Sequence, residues 1–112
     1  MIKLKRVYEP VKKSDGFRVL VDRLWPRGVS KQKAKVDVWM KEIGPTDKLR
    51  KWFGHDPKRW NGFRTKYKAE LKKNPELKNL KALAKKHKNL TLVYGAKDEE
   101  HNQAVVLKEF LK

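Results

Sequence analysis

Apolar positions along the chain alternate between a spacing near two and a spacing near 3.6, and the switches mark out its elements. Ile2, Leu4 and Val7 are separated by cationic residues and predict a first strand over 2–7. Phe17-Arg18-Val19-Leu20-Val21 is a short apolar run, with Ser14-Asp15-Gly16 before it and Pro26 and Gly28 after it. It predicts a buried strand over 17–22. Val36-Asp37-Val38-Trp39-Met40 alternates and predicts a short strand or extended edge. Leu90-Thr91-Leu92-Val93-Tyr94 is the clearest strand, and Gly95-Ala96-Lys97 turns the chain after it.

Between these runs the spacing is helical and the caps are legible. Thr46 predicts an N-cap for a helix over 47–53. Asp56-Pro57 sets a cap before a proline at the first helical position. It opens a helix over 57–73, with Trp60, Phe63, Tyr67 and Leu71 on one stripe. Asn74-Pro75 repeats the logic for 75–87, with Leu77, Leu80, Leu83 and Ala84 inward. Asp98 is expected to cap a last helix over 99–111, with Glu99 and Glu100 in its first turn, where the helix dipole favours negative charge. Ala104, Leu107 and Leu111 form its stripe. Strands followed by helices in this order predict an α/β fold. The expectation is a single-domain three-layer sandwich over 1–112, with a small, mostly parallel sheet and helices on both faces. No linker or internal repeat divides the chain.

Charge changes this picture from a fold to a candidate function. The chain has 30 Lys and Arg against 13 Asp and Glu, a net of +17, and residues 58–88 alone carry a net of +10. The outward positions of the two central helices are almost all basic, among them Lys58, Arg59, Arg64, Lys66, Lys72, Lys73, Lys85 and Lys86. Such a face attracts nucleic acid or another polyanion through phosphates, without reading sequence. A competing reading is compositional drift, because 23 of the 30 basic residues are lysine.

Several classes are set aside. There is no cysteine, which removes disulfides, thiolate metal sites and a thiol nucleophile, and fits a reducing cytoplasm. The first residues have no long apolar stretch after their charges, so no signal peptide is expected, and no run of about 20 apolar residues suits a membrane. His55, His87 and His101 lack short ligand spacing, so no metal is expected. No glycine-rich phosphate loop appears and no cofactor is expected.

Two clusters carry candidate chemistry. If strands 17–22 and 90–94 run parallel, Arg23, Trp25 and Arg27 face Tyr94, Lys97 and Asn102 across two carboxyl ends. That would be a basic pocket with an aromatic wall, suited to a phosphorylated or carboxylated metabolite. The structural alternative pairs Asp22 with an arginine and sends Trp25 into the core. Arg27, between Pro26 and Gly28, has either an internal partner or a ligand to meet. The second cluster is His55 and Asp56, a general base with its orienting carboxylate. Here the competing reading makes Asp56 the helix cap and His55 merely the residue before it.

The heptapeptide Asp22-Arg23-Leu24-Trp25-Pro26-Arg27-Gly28 also resembles the YeaO-like branch of domain-of-unknown-function family 488. Lys5-Arg6-Val7-Tyr8, Ser14-Asp15-Gly16, Leu49-Arg50, Leu90–Tyr94, Ala96-Lys97, Asn102 and Leu107 extend the likeness over nearly the whole chain. The resemblance implies a fold and a set of residues but no established reaction. In longer members of the wider family the last helix begins with Cys-His-Arg, where this chain has Asn102, Gln103 and Ala104. The branch itself lacks that cysteine, so thiol chemistry is not implied.

Three functions follow. The charge puts polyanion binding first. A small enzyme or sensor for an anionic metabolite at the strand ends comes second, and an interaction module for an acidic protein third.

Overall fold

Among the described residues, four short strands form one parallel sheet, in the spatial order 2–6, 90–94, 17–20, 38–39. The computed structural model describes residues 1–111. The strands are β1 (Ile2–Arg6), β2 (Phe17–Leu20), β3 (Val38–Trp39) and β4 (Leu90–Tyr94). The helices are α1 (Lys31–Ala34), α2 (Asp47–Phe53), α3 (Trp60–Lys72), α4 (Glu76–Lys86) and α5 (Gln103–Leu111). β4 is central and all five of its residues are buried, as expected of a parallel strand covered on both faces. It pairs with β1 from Ile2↔Leu90 to Arg6↔Tyr94, and with β2 from Phe17↔Leu90 to Leu20↔Val93.

Alternation along the strands sorts the side chains into two layers. Val19, Val21, Leu90, Leu92 and Tyr94 point into the main core with Phe53, Phe63, Tyr67, Leu71, Leu80 and Leu107. This face carries α2 to α5. The opposite face holds a smaller cluster of Val7, Leu20, Ala34 and Val93, covered by Trp25, Val29 and Val36. Among the described residues, this side is covered by the single-turn α1, by a short 3-10 turn over Lys13–Asp15 and by loop. A buried ion-pair network completes it. The Asp15 carboxylate accepts from Arg18 Nη1 at 2.7 Å and Lys5 Nζ at 2.9 Å, and Arg18 Nη2 donates to the Ala34 carbonyl at 2.9 Å.

Thr46 caps α2 as the sequence expects, whereas the helix expected from Pro57 opens as a 3-10 turn over Pro57–Arg59 ahead of α3, and α4 starts at Glu76 with Pro75 at its N-cap. Thr46 Oγ1 accepts from Leu49 N–H at 3.3 Å, Asp56 from Lys58 N–H at 3.0 Å, and Asn74 from Glu76 N–H at 2.9 Å. Asp98 does not cap the last helix. Its carboxylate closes a turn, accepting from the N–H groups of Glu100 at 2.9 Å and His101 at 3.0 Å. Asn102 caps α5 instead, accepting from Ala104 N–H at 3.0 Å and Val105 N–H at 3.2 Å. The helix therefore starts at Gln103 rather than 99. Asx turns and N-caps use the same side-chain-to-backbone bond, and the local sequence alone does not separate them.

Candidate functional site at the strand ends

The chain leaves β2 toward β3, whereas after β4 it continues into α5, which packs on β1 and β4. The two exits part and leave a crevice outside the carboxyl ends of the sheet, the usual ligand position in open parallel sheets. A cavity of about 340 Å³ occupies it. Its wall is mainly apolar, and the volume is at the lower end of the roughly 300–1,000 Å³ common for small-molecule sites.

Asp22 anchors the cavity. It follows β2 and reaches across to the exit of β4, where Oδ2 accepts from Gly95 N–H at 2.9 Å. Its Oδ1 accepts from the Gln103 side-chain amide. Gly95 makes this approach possible: a Cβ there would lie 2.9 Å from Asp22 Oδ2 and 3.5 Å from Pro26 Cβ. Burial pushes the Asp22 carboxyl up to about 6, even though the Gly95 and Gln103 hydrogen bonds favour its charged form. Asp22 has no ion pair with an arginine among the described residues, contrary to the structural alternative posed from sequence.

The two arginines of the heptapeptide part company. Arg23 holds the 44–45 loop: Nε donates to the Pro45 carbonyl at 2.8 Å and Nη2 to the Gly44 carbonyl at 3.0 Å, with Glu42 3.5 Å from Nη1. Its donors are largely used by the fold. The Arg27 backbone carbonyl accepts from Tyr8 Oη at 2.9 Å. Its guanidinium is exposed and, among the described residues, makes no hydrogen bond or ion pair. Trp25 packs into the second cluster, donates from Nε1 to the Val29 carbonyl at 2.6 Å and sets its ring against Trp39 at 5.2 Å.

The structure brings Arg23, Trp25, Arg27 and Asn102 to this cavity, but not Tyr94 or Lys97. Tyr94 points into the main core, where burial holds its phenol above the ordinary value. Lys97 is exposed outside the cavity. Arg50, Tyr8 and Gln103 take their places in the lining. Arg50 Nε is buried without a partner, and its Nη2 has only a long 3.4 Å contact with Asp47. Sequence reading met Leu49-Arg50 and Tyr8 only as points of family likeness. Helical spacing does place Arg50 beside the buried Leu49 and Phe53, and that was the available signal.

His55 also lines the cavity, next to Phe53 and Phe63. It adopts a left-handed backbone at φ 56°, directly after Gly54 at φ 53°. No hydrogen bond joins it to Asp56 among the described residues; Asp56 caps the following turn. The proposed base and orienter are therefore not assembled as a pair.

The basic helices form a different surface. Lys58, Lys72, Lys73, Lys85 and Lys86 are exposed. Lys72, Lys78, Lys81 and Lys85 flank a groove of about 500 Å³ between the end of α3 and α4. The remaining candidates are engaged within the fold. Arg59 and Lys66 lie over the Trp52 ring at 5.4 and 5.2 Å, and Arg64 pairs with Glu109 at 2.7 Å.

Fold and site together define a small parallel α/β domain with a mixed cationic and aromatic cavity at its strand ends. The chain belongs to DUF488-N3i, described as the inactive DUF488-N3 subclade, whose family pattern matches residues 1–112. It is 47% identical to the uncharacterised protein YeaO of Escherichia coli K12, over 99% of this chain and 96% of that one. It is 36% identical to the uncharacterised proteins Mb3100c of Mycobacterium bovis and Rv3073c of Mycobacterium tuberculosis, over 98% of this chain and 92% of each. No solved structure matches it at a significant level. At the start of α5 stand the cap Asn102, then Gln103 bound to Asp22, then buried Ala104.

Proposed function

We propose that this protein binds a small anionic metabolite in the strand-end cavity and acts as a sensor or carrier rather than a catalyst. The observation that carries the reading is the pair Arg27 and Arg50. Both line one cavity, and among the described residues the Arg27 guanidinium and Arg50 Nε have no partner. A guanidinium kept free in a partly dry site suits phosphate or carboxylate. The family description as inactive, and the use of Asn102 and Gln103 for capping and for holding Asp22, both favour binding over turnover. The lack of cysteine fits action in a reducing cytoplasm.

A thermal-shift titration with inorganic phosphate tests this. Wild type should melt higher by the amount mass action gives, about 1.4 kcal/mol at ten times Kd. The double variant Arg27→Gln/Arg50→Gln should not respond. An unresponsive wild type, with phosphate and with simple carboxylates, would sink the reading.

A second reading, polyanion binding, rests on the lysine-flanked groove between α3 and α4. It concerns a separate surface and does not compete for the cavity. It predicts binding to random-sequence DNA that weakens steeply with salt.

A further inference from the structure

We propose that the ligand of the strand-end cavity is a nucleoside monophosphate, its phosphate on Arg27 and Arg50 and a hydroxyl or ring N–H donating to Asp22. This deepens the proposed function and rests on the anion site it describes. A cavity evolved for a bare anion would not contain a buried carboxylate, because like charges in a low-dielectric site repel. Asp22 is nonetheless held there by two donors and given room by a glycine. Each of its oxygens accepts one hydrogen bond and keeps a further lone pair free. The ligand must therefore offer a donor at one point and a negative charge at another.

Three further features narrow the class. The cavity wall includes Phe53 and Phe63, stacked with centroids 4.3 Å apart, which suits a ligand whose body has an apolar or planar part. The mouth carries the exposed Tyr8 and Leu24, apolar surface that a flat ring would cover. The cavity of about 340 Å³ is far larger than a free phosphate needs. A phosphate ester of a hydroxylated sugar with a planar base meets all these conditions. A simple carboxylate or inorganic ion supplies only the negative charge.

The test is calorimetry at pH 7.5 with four probes: adenosine monophosphate, ribose 5-phosphate, adenosine and inorganic phosphate. Adenosine monophosphate should bind tightest, ribose 5-phosphate next, and phosphate alone at least tenfold more weakly than the nucleotide. Asp22→Asn should weaken the nucleotide at least tenfold and leave inorganic phosphate bound equally or more tightly. A merely structural Asp22 would shift all probes together, so that result overturns the inference. Phosphate binding that is lost in Arg27→Gln/Arg50→Gln, with no gain for the nucleotide, overturns it while leaving the anion site standing. No binding by any probe removes both.

Discussion

The strand-end cavity and the α3–α4 surface carry the same kinds of charge and put them to different use. The helical surface has many cations and little placement: its lysines project into solvent along a groove, and its arginines are tied to Trp52 or Glu109. The cavity has few charges, and the fold sets where their chain positions lie. Arg23 is clamped by two carbonyls, Arg27 is carried next to buried Pro26, and Asp22 is gripped from the exit of β4. A count of charges points to the first surface, and the placement of charges points to the second. Exposed charge attracts anions generally, whereas placed charge in a recess selects among them.

The largest expected effect comes from the arginine that is built into the fold. Arg23→Ala removes two charge-assisted hydrogen bonds to buried carbonyls and should cost about 3 kcal/mol of stability by chemical denaturation. Arg27→Gln, four residues on, should change stability by less than about 0.5 kcal/mol, as for other exposed groups without partners. Equal losses from both variants would erase the distinction between clamp and ligand arginine.

Asp22 gives the next effect, with opposite sign. Its carboxyl stands at about 6 in the fold against an ordinary 3.8. A raised acid contributes stability that is full below the unfolded value and lost as pH climbs through the folded one. Above pH 6 the charged form therefore costs the fold up to about 3 kcal/mol. Asp22→Asn should be more stable than wild type at pH 8, provided Gln103 turns its amide to offer an acceptor. The difference should vanish below about pH 4, where both side chains are neutral. A pH-independent difference would mean that Asp22 acts through packing rather than charge.

Gly95→Ala sharpens the same point. The added methyl meets Asp22 Oδ2 at 2.9 Å and must displace it, so stability should fall by about 1–2 kcal/mol and cavity binding with it. An unaltered binding constant would show that the Asp22 position is immaterial to the ligand.

The smallest stability effect belongs to the lysines. Changing Lys72, Lys73, Lys85 and Lys86 to Gln should leave stability within about 0.5 kcal/mol or raise it slightly, as crowded positive charge is relieved. If the groove meets duplex DNA, the slope of log affinity against log salt should flatten by about 0.9 per lost phosphate contact. An unchanged slope removes these residues from any DNA interface.

What the sequence made legible followed local rules. Strand positions and the Thr46, Asp56 and Asn74 side-chain bonds come from spacing and short-range contacts, whereas the parallel pairing of β2 with β4, posed from the sequence only as a condition, joins residues 73 apart. The site was half legible for a related reason. Arg23, Trp25 and Arg27 share one loop, and a strand end can be foreseen. That Arg23 turns to Gly44 and Pro45, while Arg50 arrives from α2, depends on tertiary packing that no local spacing encodes. The start of α5 was misplaced because Asp98 and Asn102 are both credible caps, and only the packed loop decides between them. Lys97 looked like a pocket residue by proximity to Tyr94, yet one is exposed while the other is in the core.

The comparison between placed and unplaced charge is tested most directly by amide chemical-shift mapping during a titration with ribose 5-phosphate. The account predicts saturable shifts confined to residues 22–27, the middle of α2 around Arg50, and 95–103, with α3–α4 residues beyond 70 unmoved. Shifts spread along 72–88 with the strand ends silent, or no saturable shifts at all, would contradict it.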